Sequence, residues 1–251
     1  MNDTQWDYSG KTVVITGGGS GIGAELAVAF AGAGARVIIG GRNSDRLHAV
    51  CARQSGIEAR EVDVTRPEAM DTLFADLNTV DVVIANAGAA HSAPVHKTSF
   101  EDWQSMLAVN LSGVFLTLQA GLARVQAGGR LLAVASTAGL KGYPYVAPYC
   151  AAKHGVIGLV RSLALEIGDK GITVNALCPG FTDTPLLEDS LQTIMDKTGR
   201  SREKAYALLA RRNPQGRLVT TEEVVATALW AASPGASAIN GQALAIAGGE
   251  V

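Results

Sequence analysis

Aromatic residues are scarce, at 5% of the chain, and charge is nearly balanced: 21 Lys and Arg against 23 Asp and Glu leave a formal net charge of −2. A nucleic-acid binder usually shows a basic excess or stripe, so no nucleic-acid partner is expected. The nearest approach to a cluster, Arg211-Arg212 with Arg217, reads as a solvated helix end. Cys51, Cys150 and Cys178 are too few and too widely spaced for a disulfide framework or a paired-thiolate metal site. No stretch approaches the roughly 18 uncharged apolar residues of a membrane span, so no membrane association is expected. The opening MNDTQWDYSG lacks the basic start and apolar region of a signal peptide. These absences predict an intracellular, reduced, soluble protein of the cytoplasm.

What remains is apolar and rich in glycine: hydrophobic residues make up 47% of the chain, and there are 29 glycines. Disorder would carry more charge and fewer branched aliphatics. Short apolar runs alternate with helix-length segments throughout. Strands are predicted at 12–15, 37–39, 58–62, 82–85, 131–135, 173–177 and 243–247. Helices are predicted at 24–33, 46–54, from Pro67 as a first helical residue, at 100–109, 111–125, 149–167 and 222–232. Near-continuous apolar strands alternating with helices imply a parallel sheet covered on both faces. Right-handed crossovers then give an α/β doubly wound sheet of about seven strands, the Rossmann arrangement, in one domain over 1–251. The stretch 183–217 is polar, helical and longer than an ordinary connection, as lids and binding loops are.

After the first strand comes Thr16-Gly17-Gly18-Gly19-Ser20-Gly21-Ile22-Gly23. Glycines let the backbone turn sharply and approach a pyrophosphate, whose charge meets the amides opening the next helix. A Gly-rich turn also serves purely structural ends; its place between a strand and a helix favours a dinucleotide. NAD sites usually carry an acid at the end of the second strand. Here that place reads Gly40-Gly41-Arg42-Asn43, and a guanidinium without a carboxylate favours the 2′-phosphate of NADP, with NAD as the other possibility. Arg42 stacking on the adenine or facing solvent is the plainer alternative. Asp63-Val64 is placed to contact the adenine, and Asn86-Ala87-Gly88 to pack against the cofactor's far half.

Tyr149 and Lys153 lie one helical turn apart, on one face. A tyrosine titrates near pH 10, too high for easy exchange at neutrality. A neighbouring ammonium, with an oxidised nicotinamide, is expected to lower that value and make the phenol an acid–base catalyst. Ser136, at the carboxyl edge where open α/β sheets bind ligands, can donate to a carbonyl oxygen as negative charge develops. Asn110, between two helical segments, can kink the helix and hold a water linking Lys153 to solvent; a satisfied helix-interior amide is the alternative. His91 and His96 have neither metal spacing nor an accompanying acid, so no metal is expected.

With these residues in place, the sequence resembles the short-chain dehydrogenase/reductase family over essentially its whole length. Thr16-Gly17, Gly21 and Gly23 match the family's cofactor loop, and Asn86-Ala87-Gly88 its central motif. Asn110, Ser136, Tyr149 and Lys153 match its catalytic tetrad, and Pro179-Gly180 with Thr182 the segment beside the nicotinamide carboxamide. The resemblance implies NAD(P), hydride transfer without a metal, Ser20 and Ile22 at the cofactor loop, a mobile lid over 183–217, and a homotetramer. Asp183-Thr184-Pro185-Leu186 and the stretch from Arg211 to Arg217 are similar to 3-oxoacyl thioester and polyketide ketoreductases. The stretch around Cys178-Pro179-Gly180 is similar to 3-hydroxybutyrate dehydrogenases. Ala90, Ala138 and Phe181 stand where the latter carry polar or larger contacts, which argues against a small hydroxy acid. Leu140, Tyr143, Tyr145, Phe181, the lid leucines and Met195 form an apolar candidate pocket or ordinary packing. The small-molecule substrate is therefore expected to be a 3-oxoacyl thioester or similar hydrophobic ketone. A sugar, polyol or steroid alcohol oxidised by NAD, and a non-catalytic cofactor sensor, are the competing readings.

Overall fold

The computed structural model describes residues 6–251. Residues 1–5, where the expected absence of a leader was partly read, lie outside the described residues. The strands are β1 (Thr12–Thr16), β2 (Arg36–Gly41), β3 (Ile57–Glu61), β4 (Val80–Ala85), β5 (Val125–Val134), β6 (Thr173–Pro179) and β7 (Ala243–Ile246). All pair in parallel, in the order β3-β2-β1-β4-β5-β6-β7. The order reverses at β1 and β4, and such switch points open the crevice in which doubly wound sheets bind ligands.

Alternate side chains on each strand feed opposite faces. Val13 and Ile15 of β1, with Val37 and Ile39 of β2, pack beneath α1 (Gly21–Gly32), α2 (Ser44–Cys51) and α9 (Thr221–Ala232). Val14 and Ile38 point the other way, toward α3 (Ala69–Leu73), α5 (Gly113–Leu122) and α6 (Ala147–Ile167). Two apolar layers on one sheet explain the uninterrupted strand sequences, since neither face meets water.

Three expectations are corrected. Pro67 does not open a helix: α3 starts at Ala69, after a turn in which Ala69 N bonds Arg66 O and Met70 N bonds Pro67 O. β5 begins at Val125, where a helix was expected, because Val80 of β4 takes Val125 as its partner across a register shift. The helical segments α4 (Phe100–Leu107) and α5 are one continuous run joined by a π-helical turn, Ala108–Ser112. That run, Phe100–Leu122, is long and apolar enough to cross a membrane by length and composition alone. Its Val114 and Leu118 nevertheless lie in the apolar layer over the sheet.

The excursion 183–217 folds as α7 (Pro185–Thr198) and α8 (Arg202–Ala210). Leu187, Leu191, Ala205 and Leu209 pack into a small cluster of their own with Leu218, flanked by Phe181 and Met195.

Candidate active site

Thr16 ends β1 with its hydroxyl buried, accepting from Asn86 N at 3.1 Å and Ala87 N at 3.3 Å. The Asn86 amide returns two bonds, to Thr16 O at 3.0 Å and Gly17 O at 3.2 Å. Thr16 and Asn86 thus brace the carboxyl ends of β1 and β4 to each other. Gly17 has a φ of +69°, and a Cβ there would stand 2.7 Å from Ala87 Cα, so only glycine fits. The following Ser20 is extended, caps α1 without a side-chain bond, and leaves its hydroxyl exposed. The first turn of α1 contains no acidic residue. Amides at a helix start, with a loose hydroxyl and no competing carboxylate, suit a phosphate anion. Gly21, Ile22 and Gly23 form that first turn.

At the end of β2, Arg42 is exposed, while Oδ1 of the Asn43 side chain is committed to capping α2 by accepting from Arg46 N at 2.9 Å. Asp63 accepts from Thr65 N at 3.0 Å and Thr65 Oγ1 at 2.8 Å. The Thr65 bonds hold its carboxyl below the usual range, with the Arg42 charge assisting. Val64 is buried, its side chain against Gly113 of α5. Across the switch point, Gly88 passes so close that a Cβ there would stand 3.0 Å from Asn110 Oδ1 and 3.8 Å from Lys153 Nζ.

Asn110 lies inside the π-helical turn and is 0% exposed. Its Oδ1 accepts from Ala89 N at 3.2 Å, and its Nδ2 donates to Ala89 O at 2.9 Å and Met106 O at 3.1 Å. The expected break in the helix is present, in a form frequent at functional sites. The amide holds the loop after Gly88 through bonds to backbone.

Ser136 stands two residues past β5, where its hydroxyl oxygen accepts from Ala138 N at 3.1 Å. That bond uses the oxygen and leaves the hydroxyl proton free to be donated. Tyr149 and Lys153 sit on the first turns of α6, Tyr149 half-buried and Lys153 only 3% exposed. Lys153 Nζ lies 5.6 Å from the Tyr149 ring centroid and donates to Val134 O at 2.8 Å.

The protein's own groups act on this pair through burial. Burial pushes the Tyr149 phenol up to about 12, with the Ser136 hydroxyl pulling it back. Burial also brings Lys153 down to about 8. Desolvation acts on both partners: it penalises the phenolate directly and weakens the ammonium meant to stabilise it. The protein's own field therefore keeps the phenol protonated.

At the end of β6, Pro179 is followed by Gly180, whose N bonds Ile246 O at 3.0 Å, and by buried Thr182, which donates to Gly180 O at 3.0 Å. Lys197 of α7 reaches across to Ser92 O at 3.4 Å, joining the α7–α8 excursion to the loop after Gly88. His91 and His96 are exposed, and the described residues hold no cluster of metal-ligating side chains.

Two features escaped the sequence reading. Lys153 is held by the main-chain carbonyl of Val134, which no side-chain pattern announces. Glu250 is drawn against Tyr143, 107 positions away, with no local signal.

A family profile described as enoyl-(acyl carrier protein) reductase matches residues 17–250. A putative ketoacyl reductase of Streptomyces coelicolor is 36% identical, covering 95% of this chain and 96% of its own. A D-beta-hydroxybutyrate dehydrogenase of Rhizobium meliloti is 32% identical over 95% of this chain and 98% of its own. The crystal structure of an actinorhodin polyketide ketoreductase variant with NADPH superposes with a TM-score of 0.89 at 34% identity, covering 96% of this chain and 97% of that one. A fold, a motif order and relatives that agree over nearly the full length leave one assignment: the chain belongs to the short-chain dehydrogenase/reductase family and is one of its oxidoreductases.

Proposed function

We propose that this enzyme interconverts a carbonyl and a secondary alcohol, that it takes NADPH, and that its substrate is a 3-oxoacyl thioester or similar hydrophobic ketone. The observation that carries the reading is geometric: at the carboxyl edge of the sheet Ser136 is held by Ala138 N at 3.1 Å, and Tyr149 and the buried Lys153 stand on the first turns of α6, with Lys153 Nζ 5.6 Å from the Tyr149 ring centroid. Thr16, Gly17, Ser20, Gly21, Ile22 and Gly23 would hold the pyrophosphate. Arg42 and Asn43 would meet the adenosine ribose, with Asp63 and Val64 beside the adenine. Asn86, Ala87 and Gly88 would flank the middle of the dinucleotide, and Pro179, Gly180 and Thr182 its nicotinamide end. The free Ser20 hydroxyl and the acid-free start of α1 fit this assignment. The bound dinucleotide supplies the hydride.

Ser136 and Tyr149 grip the carbonyl oxygen with two hydroxyls, stabilising negative charge as it develops there. Tyr149 releases its proton to that oxygen. Lys153, with one of its three donors on Val134 O, keeps two for the cofactor ribose and the phenol's surroundings. Asn110 positions the loop at Ala89. Residues 183–217 act as the lid over the apolar pocket.

The exposed apolar side chains Phe100, Trp103, Phe115 and Leu165 on α4, α5 and α6, with Trp230 on α9, support a homotetramer. All three cysteines are free, which supports a reduced cytoplasmic setting. Tyr149→Phe is the decisive variant. Turnover of a 3-oxoacyl thioester, followed by loss of NADPH absorbance, is expected to fall by about a thousandfold, while NADPH binding by fluorescence stays intact. Near-normal turnover would end the assignment.

A further inference from the structure

The segment after β7 turns back over the substrate side of the sheet edge. Glu250 N donates to Ala247 O at 3.1 Å. Gly248, with a φ of +58°, lies so close to Asn213 that a Cβ there would stand 2.0 Å from Asn213 Oδ1. The turn delivers the Glu250 side chain inward, where it is 2% exposed. Its Oε1 accepts from the Tyr143 hydroxyl at 2.7 Å and faces Lys141 Nζ at 3.1 Å, and Lys141 also donates to Glu250 O at 2.9 Å. The other oxygen lies against Gly180, where a Cβ would meet it at 3.4 Å.

A buried carboxylate is tolerated only when paired and hydrogen-bonded. Here an ammonium and a phenol do both, as they would for a carboxylate arriving on a ligand. The place borders the reaction centre. Tyr143 shares a hydrogen bond of 2.7 Å with Thr137, the residue after Ser136, and its ring meets Phe181 edge-on at 5.8 Å. The Arg212 guanidinium carbon, 5.8 Å from the same ring centroid, adds positive charge.

We infer that Lys141 and Tyr143 form a carboxylate-binding subsite beside the reaction centre, which the chain fills with its own Glu250 so that neutral ketones are accepted and ketones bearing a free carboxylate are refused. The subsite deepens the carbonyl-reductase reading and rests on it. Its selectivity comes from repulsion: an acidic substrate meets a carboxylate where it needs the cation.

The matched probes are acetoacetate and its ethyl ester. Wild-type enzyme is expected to favour the ester in kcat/KM, and Glu250→Ala to shift that ratio by about tenfold toward the acid, through the KM of acetoacetate. The shift should fade as salt rises to about 1 M and disappear when Lys141→Met is added. Glu250→Gln, which keeps the packing and the acceptor for Tyr143, should move the ratio the same way by a smaller factor. An unchanged ratio in both variants, with melting temperatures like the wild type's, overturns the inference, as does a wild-type preference for the acid. If the wild type reduces neither ketone, the carbonyl reading itself has failed, and calorimetry with unreactive butyrate decides the subsite alone. Saturable binding to Glu250→Ala at low salt, lost with Lys141→Met, sustains it; equal binding to wild type, or none to the variant, sinks it.

Discussion

On the proposed nucleotide side of the sheet edge, side chains hold backbone: Thr16 and Asn86 tie two adjacent strand ends, and Asn110 ties the loop at Ala89. On the proposed substrate side, side chains reach one another as well as distant backbone: Tyr143 bonds Thr137 and Glu250, and Lys197 reaches Ser92 O on the opposite loop. The nucleotide side rests on the two apolar layers of the sheet, whereas α7 and α8 rest on a cluster of their own. In the proposed function, the scaffold for a constant ligand is thus anchored in the sheet, and the scaffold for a variable one is attached beside it. The second can be remodelled without disturbing the first.

A pair of leucines tests that separation most severely. Leu132 of β5 and Leu191 of α7 are almost equally buried. Leu132→Ala is expected to destabilise the whole protein by about 2–5 kcal/mol, read as a lowered denaturation midpoint. Leu191→Ala should leave that midpoint nearly in place and raise KM for the ketone by roughly threefold or more through a loosened lid. Equal global losses would break the comparison.

Arg42→Ala probes the nucleotide side alone. NADPH binding, measured by fluorescence titration, is expected to weaken by about tenfold or more through loss of a charge-assisted contact to the 2′-phosphate. NADH binding and the KM for the ketone should barely change. A similar weakening for both nucleotides would assign Arg42 to the adenine or to solvent instead.

Lys153, between the two sides, sharpens the comparison through pH. With burial bringing it down to about 8, its ammonium is intact at pH 7 and lost as pH rises. Ketone reduction should therefore decline through an inflection near 8. In Lys153→Arg, whose guanidinium keeps its charge, that inflection should disappear from whatever activity survives. Stability responds in the opposite direction. Between about 8 and the free lysine value the unfolded chain holds a proton that the folded one has released, so this group's contribution rises with pH. A denaturation midpoint that fell across that window in the wild type, but not in Lys153→Met, would contradict the lowered value.

The same division governs what was legible. The alternation of apolar strands and helices was readable because both faces of the sheet are covered, and the family was readable because its motifs stand at strand ends. Val125 was missed as a strand residue because Gly128 and Gly129 interrupt the apolar pattern, while pairing with β4 overrides local preference. The π-helical turn at Asn110 was foreseen only as a kink, since its register depends on bonds to Ala89. Spacing shows that Lys153 neighbours Tyr149, and only packing shows that the protein itself desolvates both. Glu250 was invisible because its partners come from a separate loop.

The Thr16–Asn86 brace has a thermodynamic corollary. A phosphate loop whose shape is already settled surrenders little conformational freedom when a dinucleotide docks, so association should proceed nearly as between rigid bodies. Its heat-capacity change should then reflect the surface covered and little coupled folding, and cutting the brace should convert a quick docking event into a slower one that waits for the loop to find its form.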